Sequence, residues 1–384
     1  MATSTSSINN KNGHDADSPL NVLFITNMPS IITEFHSRVS SLPSNVTAEM
    51  ASLENEKTLI DQIKKCSIIF GEPVLIKNHL HHANNLKWIQ LIMAGIDKAM
   101  GFVDINTVNY KVTRAGGESF GPMMAEFIIG RMLAHERHFH QWDQFQQDRR
   151  WKSDPTYSFR TLKELKVGIM GASGSIGEKI AENCKFFGMK TRGLASKIPS
   201  NKTKDFIDEW FITDWNDKTK PAKIPNKFFN DLDYLVNVLP STPATKGMLD
   251  GEVLSNCRTN LSNPAQTVFM NIGRGDVISD ESLLRALLGS SYHSLIESSP
   301  ASKLPVPEND RYLASAVLDV FNIEPLPPTH PFYALSPPLL TISPHVSGMS
   351  GAAKKEIVDL FFENLQKFLS GEELLYEVDA GKGY

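Results

Sequence analysis

The run VGIMGASGSIGEKIAENCKFFG at 167–188 constrains the fold of this chain more than any other stretch. It reads as an apolar strand, a glycine-rich turn and an amphipathic helix, the corner unit of a parallel α/β sheet. Glycine suits such a corner because the chain turns tightly and brings backbone N–H groups towards an anion with no Cβ in the way. The glycines fall at Gly171, Gly174 and Gly177, one residue wider at the first interval than G-x-G-x-x-G. With Ser175 and Ile176 they would cradle a pyrophosphate at the helix N-terminus, where the dipole favours negative charge.

Further apolar, β-branched runs repeat on both sides of this corner. LNVLFIT (20–26), CSIIFG (66–71), LKWIQLIM (86–93) and YKVTRA (110–115) form a first series. ELKVGIMG (164–171), MKTRGLA (189–195), LDYLVNVL (232–239), TVFMNIG (267–273), ASAVLDV (314–320) and LLTISP (339–344) form a second, of six strands. Short strands with room for a helix between them predict an α/β protein of two Rossmann-like, doubly wound parallel sheets. The 384-residue length suits two domains.

Between the two series, PMMAEFIIGRMLAHERHFHQWDQFQQD reads as one long helix from Pro122 to about Asp148, bridging the sheets. The aromatics Trp142, Phe145 and Trp151 at its polar end either meet another subunit or fold back on their own domain. The helix after Gly348 is expected to return to the first sheet. A Ser- and Pro-rich stretch at 288–313 reads as a surface insertion.

Composition narrows the class. Lys and Arg number 39 against 43 Asp and Glu, with no long basic stretch, so nucleic acid is not an expected partner. No run approaches the ~20 apolar residues needed to span a bilayer, so no membrane contact is expected. The first 19 residues, rich in Ser, Thr and Asn, read as a disordered tail without a targeting pattern. Cys66, Cys184 and Cys257 share no metal-ligand spacing, and free thiols fit a reducing, cytoplasmic setting. His79, His81 and His82, like His135, His138 and His140, lack carboxylates at matching intervals, so no metal is expected.

Three residues beyond the glycine corner carry candidate chemistry: Arg274 in NIGRGDVI, Glu324 in LDVFNIEP and His345 in TISPHVSG. A guanidinium offers two parallel donors to a carboxylate, and lysine cannot reproduce that fork. An imidazole is the side chain best matched to giving and taking a proton near neutral pH, and a nearby carboxylate fixes which ring nitrogen faces outward. Together they are the parts that hold a small keto acid and protonate its carbonyl as hydride arrives. About 20 residues past the corner the expected ribose-binding carboxylate is missing, and Ser196 and Lys197 stand there instead. NADPH is therefore preferred, with NADH possible.

At this point the chain resembles the D-isomer-specific 2-hydroxyacid dehydrogenases, most closely their glyoxylate/hydroxypyruvate reductase-like branch. The resemblance runs from about Leu20 to Tyr384 and rests on MAGIDK (93–98), FGPMMAEFIIGRMLAHER (120–137), VNVLPSTPATKGML (236–249), NIGRGDVI, LDVFNIEP, SPHVSG and VDAGKGY in order. It implies a flavodoxin-like substrate domain at 20–119 plus 346–384, and a dinucleotide-binding domain with a dimerisation helix at 120–345. It implies an active site in the cleft between them, a homodimer, and a small 2-keto or 2-hydroxy acid as substrate. Arg274 would bind the substrate carboxylate and carbonyl, His345 would act as acid/base, and Glu324 would pair with His345. A backbone cradle for the carboxylate would come from Ala94 and Gly95. Leu239, Pro240, Thr245, Ile272, Gly273, Asp319 and Ser347 would line the dinucleotide. A dinucleotide-sensing corepressor of the same fold is the alternative, and no basic localisation run or partner-binding tail supports it.

Overall fold

The structure is a computed structural model, and it describes residues 19–97, 108–152, 159–200, 205–215, 217, 219–258, 267–291 and 311–378. The tail at 1–18 and most of the 288–313 stretch lie outside these residues. The chain divides into two compact units, one running to Ser119 and resuming at Ser350, the other spanning Phe120–Met349.

The first unit is a five-stranded parallel sheet of β1 (Leu20–Ile25), β2 (Val46–Met50), β3 (Ile68–Gly71), β4 (Trp88–Leu91) and β5 (Lys111–Thr113), in the order β2-β1-β3-β4-β5. β1 and β3 are buried almost throughout, as strands covered on both faces must be. Helices α1 (Pro29–His36) and α2 (Glu56–Lys65) follow β1 and β2. α2 is capped by Asn55, whose side chain accepts from the Thr58 N–H at 3.0 Å, and it ends in Lys64 and Lys65 against the helix dipole. The C-terminal helix Gly351–Ser370 packs on this sheet. Its Phe361 ring stacks 4.2 Å from Phe70 and 5.5 Å from Trp88. Its buried Asn364 donates to Gln90 Oε1 at 2.9 Å and to the Leu375 carbonyl at 3.1 Å, so the amide is satisfied where it is covered.

The second unit is a seven-stranded parallel sheet: β6 (Lys166–Met170), β7 (Lys190–Ala195), β8 (Glu209–Ile212), β9 (Tyr234–Asn237), β10 (Val268–Asn271), β11 (Ser315–Leu318) and β12 (Leu340–Ile342). Its order is β12-β11-β10-β9-β6-β7-β8, so the winding reverses between β6 and β9. In open α/β sheets ligands bind at such a switch point, at the carboxyl ends of the strands.

Three expectations need correction. The second sheet has seven strands, not six, and the first has five, not four. The additions, β2 and β8, are edge strands whose half-exposed faces carry Thr, Glu and aromatics rather than an apolar run. The long helix is two: α3 (Gly117–Glu136) and α4 (Phe139–Gln147), broken at His138, whose φ of 53° is left-handed. Neither Gly nor Pro marks the break in sequence.

The end of α3 is held to the sheet by a buried network. Glu136, 6% exposed, accepts from Arg160 Nη2 at 2.7 Å and from the Tyr234 hydroxyl at 2.7 Å. Arg160 also bonds Asp233, which accepts the Lys166 N–H at 2.8 Å. Burial and the Glu136 carboxylate push the Tyr234 hydroxyl well above its ordinary range.

Candidate active site

Within the second unit the four strands beyond the switch point end level with one another. Asn237 on β9 pairs with Asn271 on β10, Asn271 with Leu318 on β11, and Leu318 with Ile342 on β12. Arg274 follows Asn271 by three residues, Asp319 follows Leu318 by one, and His345 follows Ile342 by three. The parallel register therefore delivers all three to one edge of the sheet, on neighbouring strands about 4.8 Å apart.

His345 Nδ1 lies 2.9 Å from Glu324 Oε2, and the other carboxylate oxygen accepts from the Phe321 N–H at 3.1 Å. Glu324 is thus aimed by its own loop while it orients the ring. With Nδ1 taken by the carboxylate, Nε2 is the nitrogen left to meet a ligand. His345 itself has φ +56°, a backbone geometry that costs a non-glycine residue about 1 kcal/mol or more unless its surroundings enforce it. Asp319 supplies the enforcement. Wholly buried, it accepts from Ser343 Oγ at 2.6 Å, from the Val346 N–H at 2.9 Å and from the Ser347 N–H at 2.8 Å. Its carboxylate is engaged by the His345 loop itself.

Arg274 sits between extended backbone and the short helical turn Gly275–Val277, half-buried, with Nη1 donating to the Gly273 carbonyl at 2.8 Å. Its backbone is fixed from beneath. The buried Asn271 side chain donates to the Arg274 carbonyl at 2.9 Å and accepts from Asn237 Nδ2 at 2.9 Å. Gly275 meets the next loop so closely that a Cβ there would lie 2.0 Å from the Phe321 carbonyl carbon. No side chain fits, so the Arg274 turn and the loop leading to Glu324 are locked together.

At the glycine corner, β6 runs into Gly171 (φ 91°), and helix α5 (Ser175–Phe186) begins after Gly174. No side chain caps the first turn of α5, whose intrahelical bonding begins with the Glu178 N–H on the Gly174 carbonyl at 2.8 Å, so the N–H groups before it face the turn. A Cβ on Gly177 would stand 2.3 Å from the Gly171 carbonyl oxygen, so the helix must enter at a glycine. This cradle fits a pyrophosphate. Ser196 and Lys197 are exposed just past β7. After β9, Leu239 and Thr245 are buried, and the Thr245 hydroxyl donates to the Pro240 carbonyl at 2.6 Å, turned into its own loop. Pro240 is half-buried; Ile272, Gly273 and Ser347 are buried at the strand ends.

Comparison with known proteins agrees with the fold. Residues 129–294 match the family described as "D-isomer specific 2-hydroxyacid dehydrogenase, NAD binding domain". That stretch holds β6–β10 and the glycine corner, so the likeness falls on the dinucleotide-binding sheet. Glyoxylate/hydroxypyruvate reductase A of Salmonella typhimurium is 25% identical over 303 residues, covering 78% of this chain and 82% of its own. The crystal structure of a D-isomer specific 2-hydroxyacid dehydrogenase family protein from Aeromonas salmonicida superposes with a TM-score of 0.70 at 25% identity, covering 94% of this chain and all of that one. An NADPH-dependent glyoxylate/hydroxypyruvate reductase from Sinorhizobium meliloti, solved with NADP and sulfate, has a TM-score of 0.71 at 21% identity, covering 96% and 100%. That last likeness speaks to the fold.

The protein is accordingly an oxidoreductase that binds a nicotinamide dinucleotide. Ala94 and Gly95 lie in the first unit, half-buried in the loop after β4. The three thiols are buried, and burial pushes each up to about 12, which leaves none available as a nucleophile near neutral pH. Among the described residues no group of three His, Cys, Asp or Glu is placed to hold a metal, and no helix is long and apolar enough to cross a membrane. Sequence reasoning missed the Asn237–Asn271 amide pair and the Ser241 hydroxyl bonded to Asp276 at 2.6 Å. A paired Asn at the end of two adjacent strands was the signal available for the first.

Proposed function

We propose that this dehydrogenase reduces a small 2-keto acid of the glyoxylate or hydroxypyruvate type to the D-2-hydroxy acid, preferring NADPH to NADH. The observation that carries the reading is the 2.9 Å contact of His345 with Glu324 at the strand ends that also present Arg274, in the sheet that holds the glycine cradle. When bound, the reduced dinucleotide supplies the hydride. His345 donates a proton through Nε2 to the carbonyl oxygen as charge develops there. Glu324 acts through His345, fixing its tautomer and the direction in which its ring faces. Arg274 presents its fork to the substrate carboxylate and so orients the carbonyl. Ala94 and Gly95 add backbone contacts to that carboxylate, by the family resemblance.

Lys197 and Ser196 favour NADPH because a 2′-phosphate gains a cation and a hydroxyl donor, with no carboxylate to repel it. We assign the aromatic end of α4 to a homodimer contact. That helix buries none of its residues; Phe139 at its start is 50% exposed and Trp151, four residues past its end, is 97% exposed, a pattern typical of surfaces covered by a partner.

A spectrophotometric panel of short 2-keto acids with purified protein and NADPH or NADH tests the reading. Oxidation of NADPH by glyoxylate or hydroxypyruvate is the expected result. No oxidation with any 2-keto acid would refute it.

A further inference from the structure

Glu324 belongs to a segment, Asn322–His330, whose two ends are tied to a single carboxylate. Asp280 is the first residue of helix α6 (Asp280–Leu288), and its neighbour Ser279 caps that helix by accepting from the Ser282 N–H. Asp280 therefore stands at a fixed point of the second unit. Its Oδ1 accepts from Asn322 Nδ2 at 3.1 Å, and its Oδ2 lies 3.1 Å from His330 Nε2. Asn322 Nδ2 also reaches the Ile278 carbonyl at 3.2 Å.

The protonation pattern at the far end follows from the donors around it. The Phe332 N–H donates to His330 Nδ1 at 3.3 Å, so Nδ1 is the acceptor and the ring proton sits on Nε2, pointing at Asp280. The His330 side chain is 13% exposed, with its ring 4.5 Å edge-on from buried Phe332. Neither end of the segment swings freely.

We infer that Asp280, through Asn322 and His330, is a positioning residue for Glu324, holding the loop on which the Glu324–His345 contact depends. Its link to catalysis rests on the functional reading above; the geometry does not. Nothing in the reaction places Asp280 against substrate or dinucleotide, so its influence passes through the loop alone. Two anchors on one carboxylate fix both the position and the tilt of the span between them, which a single bond could not do.

A readout that needs no turnover separates this inference from the functional one. In the ring ¹H–¹⁵N spectrum of histidine-labelled protein, the Nδ1–H of His345 is protected from exchange only while a carboxylate holds it, and its peak is assigned by its absence from His345→Gln. The peak is expected in the wild type, lost in Glu324→Ala, lost again in Asp280→Ala, and kept in His330→Gln, which preserves a side-chain N–H donor. If Asp280→Ala does not fold, Asn322→Ala, a change at an exposed loop position, makes the same comparison. Turnover should fall roughly tenfold in Asp280→Ala and in Asn322→Ala, part of the 10²–10⁴ that positioned acid–base groups supply, with dinucleotide affinity unchanged. A peak retained in folded Asp280→Ala or Asn322→Ala overturns the proposal, as does its absence from the wild type. Wild-type protein that turns over no 2-keto acid would end the functional reading while leaving the spectral comparison intact.

Discussion

The imidazole Nδ1 of His345 lies 2.9 Å from the carboxylate of Glu324, 21 positions earlier in the chain. Two parallel strands, β11 and β12, make that contact, because each releases its loop at the same edge of the sheet. Replacing Glu324 by Gln keeps the shape and removes the charge. Turnover is expected to fall by about 10²-fold, within the usual worth of a positioned acid–base pair, with little change in dinucleotide affinity. Steady-state kinetics with matched fluorescence titrations check this, and wild-type turnover would remove Glu324 from its role.

Arg274→Lys conserves charge and loses the fork. KM for the keto acid should rise and kcat should fall together, because both anchoring and orientation depend on two parallel donors. Wild-type kinetics in this variant would contradict the assignment.

Lys197→Asp places a carboxylate where the ribose 2′-phosphate of NADPH would lie. The ratio of kcat/KM for NADPH over NADH is expected to drop by about tenfold or more, equivalent to about 1.4 kcal/mol. An unchanged ratio would show that the 2′-phosphate is read elsewhere.

His135 on α3 carries a stability prediction. Burial lowers its pKa below 6.5, outweighing the pull of the Glu136 carboxylate upward. The unfolded chain therefore takes up this proton at higher pH than the folded one, so stability is fully present above about pH 6.5 and lost as pH falls through the lowered folded value. Melting temperatures at pH 7.5 and 5.5 should fall further apart in the wild type than in His135→Gln. Equal drops would contradict the sign.

What the sequence revealed and what it hid follow from the physics of each element. Buried central strands such as IIFG and VFMN are continuous apolar runs and stood out. The edge strands VTAEM and EWFI are exposed on one face, so their composition blends with that of loops. The break at His138 depends on one residue's φ, which no side-chain pattern announced. Arg274, Glu324 and His345 were singled out as candidates by their short motifs, yet the 2.9 Å contact between the last two exists only once β11 and β12 are in register. Asp319 was placed near the dinucleotide by resemblance; the three hydrogen bonds that bind it to the His345 loop required coordinates.

The central claim is that His345 moves a proton while the bound dinucleotide gives up its hydride. Single-turnover reduction of glyoxylate by NADPH, compared between wild type and His345→Gln at equal dinucleotide saturation, tests it most directly. The account predicts retained NADPH binding and a hydride-transfer rate lower by at least about 10²-fold in the variant. Equal rates in the two proteins would contradict it.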